Sequence, residues 1–168
     1  MRIDIVGLPA SGKSTLAKAI SEKLSIPHIH LDRFWFESGG RQGRHDTPNL
    51  EEVRASVRKE TLEAIQKEDW VSDGTYLHVQ DEITARADII VFLDIPLRSR
   101  LVNHARRVLF ETKQHGELNL WSQITFFKEI IKRTYASGPK LRRFVEMHSD
   151  KTIVLHSRKE VDQYLERI

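Results

Sequence analysis

Cysteine is absent from the 168 residues, which excludes disulfides and thiolate metal sites. That absence accords with a reducing compartment, and a cytoplasmic location is the expectation. No run approaches the ~18 consecutive apolar residues of a membrane-spanning helix. No signal peptide is visible ahead of the first apolar strand pattern. Internal repeats and low-complexity tails are missing too. Neither charge sign dominates: 27 basic side chains face 24 acidic ones, for a net +3. This excess suits anionic ligands but is too modest to demand nucleic acid. What remains, 39% apolar and 30% charged residues, fits one globular domain over 1–168 with enough chain for a core. Monomer and homodimer both stay open.

Against these absences, one stretch is rich in information. Gly7 to Ser14 reads Gly-Leu-Pro-Ala-Ser-Gly-Lys-Ser, a full match to the G-x-x-x-x-G-K-[ST] phosphate-binding loop. The apolar run Ile3-Asp4-Ile5-Val6 precedes it, and Leu16, Ala17, Ile20 and Leu24 follow at helical spacing. A turn between strand and helix places backbone N–H groups and the positive end of the helix dipole around a polyphosphate. Gly7 and Gly12 permit close approaches that a Cβ would block. Residues Gly7, Ala10, Ser11, Gly12, Lys13, Ser14 and Thr15 form the expected nucleotide cradle. Lys13 would serve the β- and γ-phosphates. Ser14 would offer its hydroxyl to Mg²⁺, with Thr15 as the usual second hydroxyl. ATP and Mg²⁺ are thus the expected cofactors.

Apolar runs alternate with helical patterns along the whole chain, which predicts an α/β sheet with helices on both faces. Strands are expected near 2–6, 27–31, 70–73, 87–93 and 152–156. Helices are expected near 13–24, 49–67, 78–85, 97–113, 120–136, 139–148 and 158–167. Two punctuated segments, 37–44 and 112–118, read either as lids or as plain surface loops.

Several strings beyond the loop carry a family likeness: His30-Leu31-Asp32, Trp70-Val71-Ser72-Asp73-Gly74-Thr75-Tyr76, Phe92-Leu93-Asp94-Ile95-Pro96 and His104-Ala105-Arg106-Arg107. With the phosphate loop they make the chain resemble the small adenylate-kinase-like P-loop kinases, and most of all the bacterial topology modulation protein family. The resemblance implies a P-loop NTPase fold: a parallel five-stranded sheet flanked by helices, nucleotide-kinase-like, with a lid. Insertions near 33–67 and 108–140 would form the lid and acceptor side. It implies a phosphotransferase acting on a nucleoside monophosphate-like acceptor. After Asp73-Gly74, however, Thr75-Tyr76-Leu77 replaces the phenylalanine-proline-arginine string of adenylate kinases. A nucleoside or another small hydroxyl compound therefore stays open as acceptor.

Three aspartates end apolar strands. By the resemblance, Asp73 holds the metal through water, while Asp94 caps the next helix. Asp32 sits where open α/β sheets bind ligands. It reads as a substrate-hydroxyl partner and base, as a second metal-shell group, or as a turn residue. Arg98 to His115 carries Arg98, Arg100, His104, Arg106, Arg107, Lys113 and His115 against a single Glu111. Arg106 and Arg107 leave a helix about 100° apart, so one can face the nucleotide as a catalytic or clamping group while the other faces solvent. Arg133 reads as a surface residue in preference to a lid arginine. His28 and His30 share one face of the second strand. With no third ligand nearby in sequence, they read as packed, hydrogen-bonded histidines and not as metal ligands. The aromatic run Phe34-Trp35-Phe36 fits an acceptor pocket and a plug beneath the loop equally well. Trp70 and Trp121 read as core.

The rival reading is an ATP-dependent nucleic-acid-binding or DNA-topology-modulating protein, or a P-loop ATPase switch. Nucleic acid is not the expected main partner, because no helix-turn-helix, finger or RNP signature is present.

Overall fold

The structure is a computed structural model that describes residues 1–41, 47–76, 78–115 and 120–168, without the side chains of 110–122. Five strands build its sheet: β1 (Arg2–Gly7), β2 (His28–His30), β3 (Trp70–Asp73), β4 (Ile89–Leu93) and β5 (Thr152–Leu155). Among the described residues eight helices accompany them: α1 (Lys13–Leu24), α2 (Leu31–Glu37), α3 (Leu50–Ala64), α4 (Gln80–Arg86), α5 (Leu97–His115), α6 (Leu120–Ala136), α7 (Gly138–Met147) and α8 (Arg158–Arg167). A 3₁₀ turn, Ser149–Lys151, leads into β5.

All four strand pairings are parallel, in the order β2-β3-β1-β4-β5. Central parallel strands are covered on both faces, which explains their near-continuous apolar sequences. Ile3, Ile5, Val71, Val91 and Leu93 pack with Leu16, Ala17 and Ile20 of α1 on one side. Val6, Ile90 and Phe92 pack with Leu141 and Val145 of α7. A third cluster, beneath α2 and α3, joins Ile29, Phe34, Trp35, Val53, Val57, Trp70 and Tyr76. Strand β5 lies at the edge, and its Ile153 and Val154 remain more than a third exposed.

Because β1 lies between β3 and β4, the chain leaves its carboxyl end at the point where strand order reverses. Open α/β sheets present their ligand crevice there. The ends of β1, β2 and β3 thus bring the phosphate loop, His30 and Asp73 to one rim.

One element departs from the sequence pattern. Leu31–Glu37 is a helix that directly follows a three-residue β2. It begins where the second strand was expected to end. Leu31, Phe34 and Trp35 bury one side of it, and no glycine or proline interrupts the segment. Asp32 therefore stands in the first turn of a helix. Helix α5 also runs on to His115, through the first part of one expected loop. The remainder of the two lid candidates, at 42–44 and 116–118, lies outside the described residues. So do the side chains of Lys113, His115 and Trp121.

Candidate active site

The loop between β1 and α1 is shaped by close contacts. A Cβ on Gly7 would lie 2.9 Å from Ser11 Oγ and 3.0 Å from the Leu93 carbonyl oxygen. Gly12 takes φ 98° at the N-cap of α1, with nothing within 4 Å of a Cβ built there. Its glycine is required by the left-handed backbone and not by crowding. Ala10 shares the left-handed region at φ 61°. Among the described residues no side chain caps α1, so its first N–H groups and dipole are directed at whatever sits above the loop. Ser11 Oγ is buried without a hydrogen-bond partner among the described residues. A glycine-lined turn on an uncapped twelve-residue helix fits a polyphosphate.

The loop is held from outside by α5 and α7. Arg100 is 1% exposed. Its guanidinium donates to the Ile95 carbonyl at 3.0 Å, to the Pro9 carbonyl at 3.3 Å and to Thr134 Oγ1 at 2.6 Å. Burial lowers its pKa, with Asp94 opposing. Asn103 donates to the Ala10 carbonyl at 3.2 Å. From α7, Gly138 comes up against Leu8.

Lys13 donates from Nζ to the Leu8 carbonyl at 3.2 Å. Enclosure pulls its pKa below the ordinary lysine value. Asp32 and Asp73 work against that shift, while Arg133 and Arg100 add to it. Asp32, Asp73 and Arg133 thus each lie within electrostatic reach of Lys13. Arg133 also holds an i,i+4 ion pair with Glu129 at 2.6 Å.

Asp73 is 1% exposed and divides its two oxygens. Ser14 Oγ donates to Oδ2. His28 Nε2 lies 2.6 Å from Oδ1, and His30 Nδ1 lies 2.8 Å from the same atom. Burial alone would raise this carboxyl. The hydrogen bonds from His28, His30 and Ser14 outweigh it and hold Asp73 well below the usual carboxylate range. The same bond raises His30 above the ordinary histidine value, against partial desolvation. Both histidines are hydrogen-bonded, as expected, and only the premise that no third ligand lies nearby is corrected: parallel pairing sets His30 opposite Asp73, a contact that sequence spacing alone does not reveal.

Asp32 accepts a hydrogen bond at 2.6 Å from the hydroxyl of Tyr76, itself 1% exposed. Trp35 packs against Tyr76 at 5.9 Å between ring centroids and donates from Nε1 to the Arg41 carbonyl at 3.0 Å. Phe34 and Trp35 belong to the core, whereas Phe36 is exposed. Two of the three aromatics therefore act as the plug.

The remaining candidates are dispersed. Arg107 stacks over Phe126 at 5.1 Å and approaches His104 Nδ1 at 3.5 Å. Arg106 is exposed on the same helix. The α5 side chains described in contact with the loop are Arg100 and Asn103. Asp94 takes hydrogen bonds from Arg142 at 3.0 and 3.3 Å, with His156 at 3.7 Å. Among the described residues its carboxylate makes these contacts in place of the expected helix cap.

Sequence reasoning missed Arg100, Asn103 and Tyr76 as site-building residues. A signal for Arg100 existed: it falls between Leu97 and His104 on the inward stripe of α5, at i+3 and i−4 spacing. For Asn103 and Tyr76 nothing local marks the contact.

Comparison with known proteins agrees with this architecture. No family model matches the chain. An adenylate kinase of Clostridium botulinum is 33% identical over 84 residues, covering 50% of this chain and 30% of that enzyme. An adenylate kinase of Ruminiclostridium cellulolyticum is 62% identical over 29 residues, 17% of this chain and 14% of its own. The matching stretches therefore span less than a third of those relatives. The crystal structure of a shikimate kinase from Bacteroides thetaiotaomicron superposes with TM-score 0.60 at 20% identity. It covers 99% of this chain and 95% of that one. The parallel five-stranded sheet with its flanking helices is a P-loop NTPase fold, and the chain is similar to P-loop kinases.

Proposed function

We propose that the protein transfers the γ-phosphoryl group of Mg²⁺·ATP to a small acceptor, with a nucleoside monophosphate favoured. The observation that carries this reading is the convergence of Lys13, Ser14, Asp73 and Asp32 at the carboxyl ends of β1, β2 and β3. Phosphoryl transfer needs little covalent chemistry from a protein. It needs positioning and fixed charge around the migrating group.

The geometry supports the following assignment of roles. Residues Gly7 to Thr15 cradle the phosphates, and the uncapped end of α1 adds its dipole. Lys13 neutralises charge on the β- and γ-phosphates. Ser14 and Asp73, already hydrogen-bonded, are the residues that would hold the magnesium, Asp73 through water. The depressed pKa of Asp73 keeps it anionic for that task. Magnesium when bound supplies charge neutralisation on the phosphates. Asp32, oriented by Tyr76, meets the acceptor hydroxyl or phosphate. Arg133 lies near Lys13. Arg106 and Arg107 complete the set of guanidiniums available to clamp phosphates. A lid drawn from 37–44 and 112–118 would exclude water and limit futile hydrolysis.

The Trp70-to-Tyr76 string and the His30-Leu31-Asp32 string favour the topology modulation protein group among such kinases. The single unit over 1–168 and the cytoplasmic location belong to the same proposal. The test is a screen of nucleosides and nucleoside monophosphates with γ-labelled ATP. Labelled product from any of them supports the reading. ATP consumption that is indifferent to every acceptor supports an ATPase switch instead.

A further inference from the structure

His28, His30 and Asp73 form a cluster that the phosphoryl-transfer roles leave half unused. Magnesium chemistry calls on Asp73 Oδ2 and Ser14, on the loop side. The other oxygen, Oδ1, faces away toward two imidazoles. The ligand-capable atoms of the three residues all lie within 4.8 Å of one another, and His28 Nε2 and His30 Nδ1 stand 2.6 and 2.8 Å from Oδ1. Among the described residues no other group of three such side chains comes together.

The scaffold behind the cluster is firm. His28 and His30 are successive same-face residues of β2, and β2 is paired in register with β3, which ends at Asp73. Asp73 is 1% exposed, while the two imidazoles stay partly open to solvent. An ion could therefore enter from the histidine side and meet a buried carboxylate behind them. Ligands ~2.0–2.1 Å from a tetrahedral ion lie roughly 3.3 Å apart. To coordinate an ion, each ring would back away from Oδ1 by a fraction of an ångström while the two imidazole nitrogens, within 4.8 Å of each other, rotate toward the roughly 3.3 Å of a tetrahedral pair.

We propose that His28 Nε2, His30 Nδ1 and Asp73 Oδ1 bind one divalent transition-metal ion of the zinc class. Two imidazoles with one carboxylate favour zinc, cobalt or nickel over magnesium, which takes oxygen ligands. Three protein ligands leave a position for water or substrate, as in open metal sites. The ion would sit across the Asp73 carboxylate from the magnesium position and place a second positive charge beside the phosphate loop. The proposal shares Asp73 with the phosphotransferase reading. It rests on the two histidines, to which that reading gives no role.

The probe is Co²⁺, added without nucleotide to the full chain stripped of metal and followed by visible absorption, with Zn²⁺ as competitor. One equivalent should bind and give the intense bands of low-coordinate cobalt. Zn²⁺ should displace it and millimolar Mg²⁺ should not. His28→Gln and His30→Gln keep an N–H donor for Asp73 but lose the imidazole ligand, so each should retain the parent melting temperature without metal. Each should weaken Co²⁺ by more than the roughly 10–100-fold that loss of an outer-shell partner costs. Lys13→Ala should bind Co²⁺ like the parent even where it no longer transfers phosphate, so that failure of one reading leaves the other standing. Absence of binding, or equal affinity in the parent and both glutamine variants, would overturn the site.

Discussion

Asp4 and Asp73 stand on adjacent strands of one sheet, and both are buried, yet their carboxyls are driven in opposite directions. Asp4 lies in the middle of β1, where burial dominates. Ser72 Oγ at 2.9 Å, Gln80 Nε2 at 2.7 Å and Thr84 Oγ1 at 3.5 Å are all neutral donors. They leave its pKa raised to about 7. Asp73 closes β3 at the rim, where two imidazoles and the Ser14 hydroxyl overcome burial. The position along a strand decides the outcome. At the interior position the hydrogen-bond partners are neutral groups of β3 and α4, with only a lesser pull from Lys151, whereas the carboxyl end gathers loops, helix termini and imidazole partners from several elements.

The largest expected effect falls on the rim. Asp73→Asn should lower phosphoryl transfer by about 100-fold or more and raise the Mg²⁺ requirement, since electrostatic groups at such centres contribute on that scale. The equivalent change at Asp4 should leave the Mg²⁺ requirement unchanged, as read from initial rates against Mg²⁺ concentration. If both variants shift it alike, the division between rim and interior fails.

The next effect concerns stability and its sign. A carboxyl whose folded pKa is raised holds its proton more tightly when folded. The unfolded chain therefore binds fewer protons between the two values, and stability falls as pH rises. For Asp4 that window runs from the ordinary 3.8 to about 7, and the full span corresponds to about 4 kcal/mol. Asp73 works the other way: its contribution is present above the ordinary carboxylate pKa and is lost as pH falls below it. Urea unfolding of Asp4→Asn across pH 4–8 should show a flatter profile than the parent, while Asp73→Asn, followed on below pH 4, should lose the acid-side decline. Parallel profiles for parent and Asp4→Asn would assign the pH dependence elsewhere.

A smaller effect is expected from the acceptor side. Tyr76→Phe removes the hydroxyl that orients Asp32. Loss of a hydrogen bond of about 1–1.5 kcal/mol corresponds to roughly a five- to tenfold rise in acceptor KM, with the KM for ATP unchanged. A change confined to ATP would place Asp32 on the nucleotide side.

The smallest belongs to Asp94. Its partner Arg142 is 65% exposed, and exposed ion pairs contribute about 0–1 kcal/mol. Asp94→Ala should lower the melting temperature by a few degrees at most and leave the Mg²⁺ requirement untouched. A raised requirement would exchange the roles of Asp94 and Asp73.

Much of this contrast was legible in the residues. The Gly7-to-Ser14 string fixes strand, turn and helix together, because only glycine at 12 tolerates φ 98° and the following apolar spacing is helical. Strand β4 announces itself by an unbroken apolar run. What could not be read is what parallel pairing assembles. His30 meets Asp73 across 43 residues and Tyr76 meets Asp32 across 44, and no local pattern records either distance. Arg100 was hidden by its neighbours: a basic segment looks solvated until one arginine is seen to turn inward beneath Pro9. The α2 helix was missed because a strand of only three residues hands over directly to it.

Transfer of label from γ-labelled ATP to the acceptor panel, run side by side for the parent and Lys13→Ala, bears most directly on the central claim. Lys13 sits in the ligand cradle and not in an apolar cluster, so the variant should keep the parent's circular dichroism. The account predicts labelled product with at least one nucleoside or monophosphate for the parent, and product at or below one-hundredth of that rate for Lys13→Ala. Equal rates for the two proteins, or no labelled product from the parent with any acceptor at saturating Mg²⁺·ATP, would contradict it.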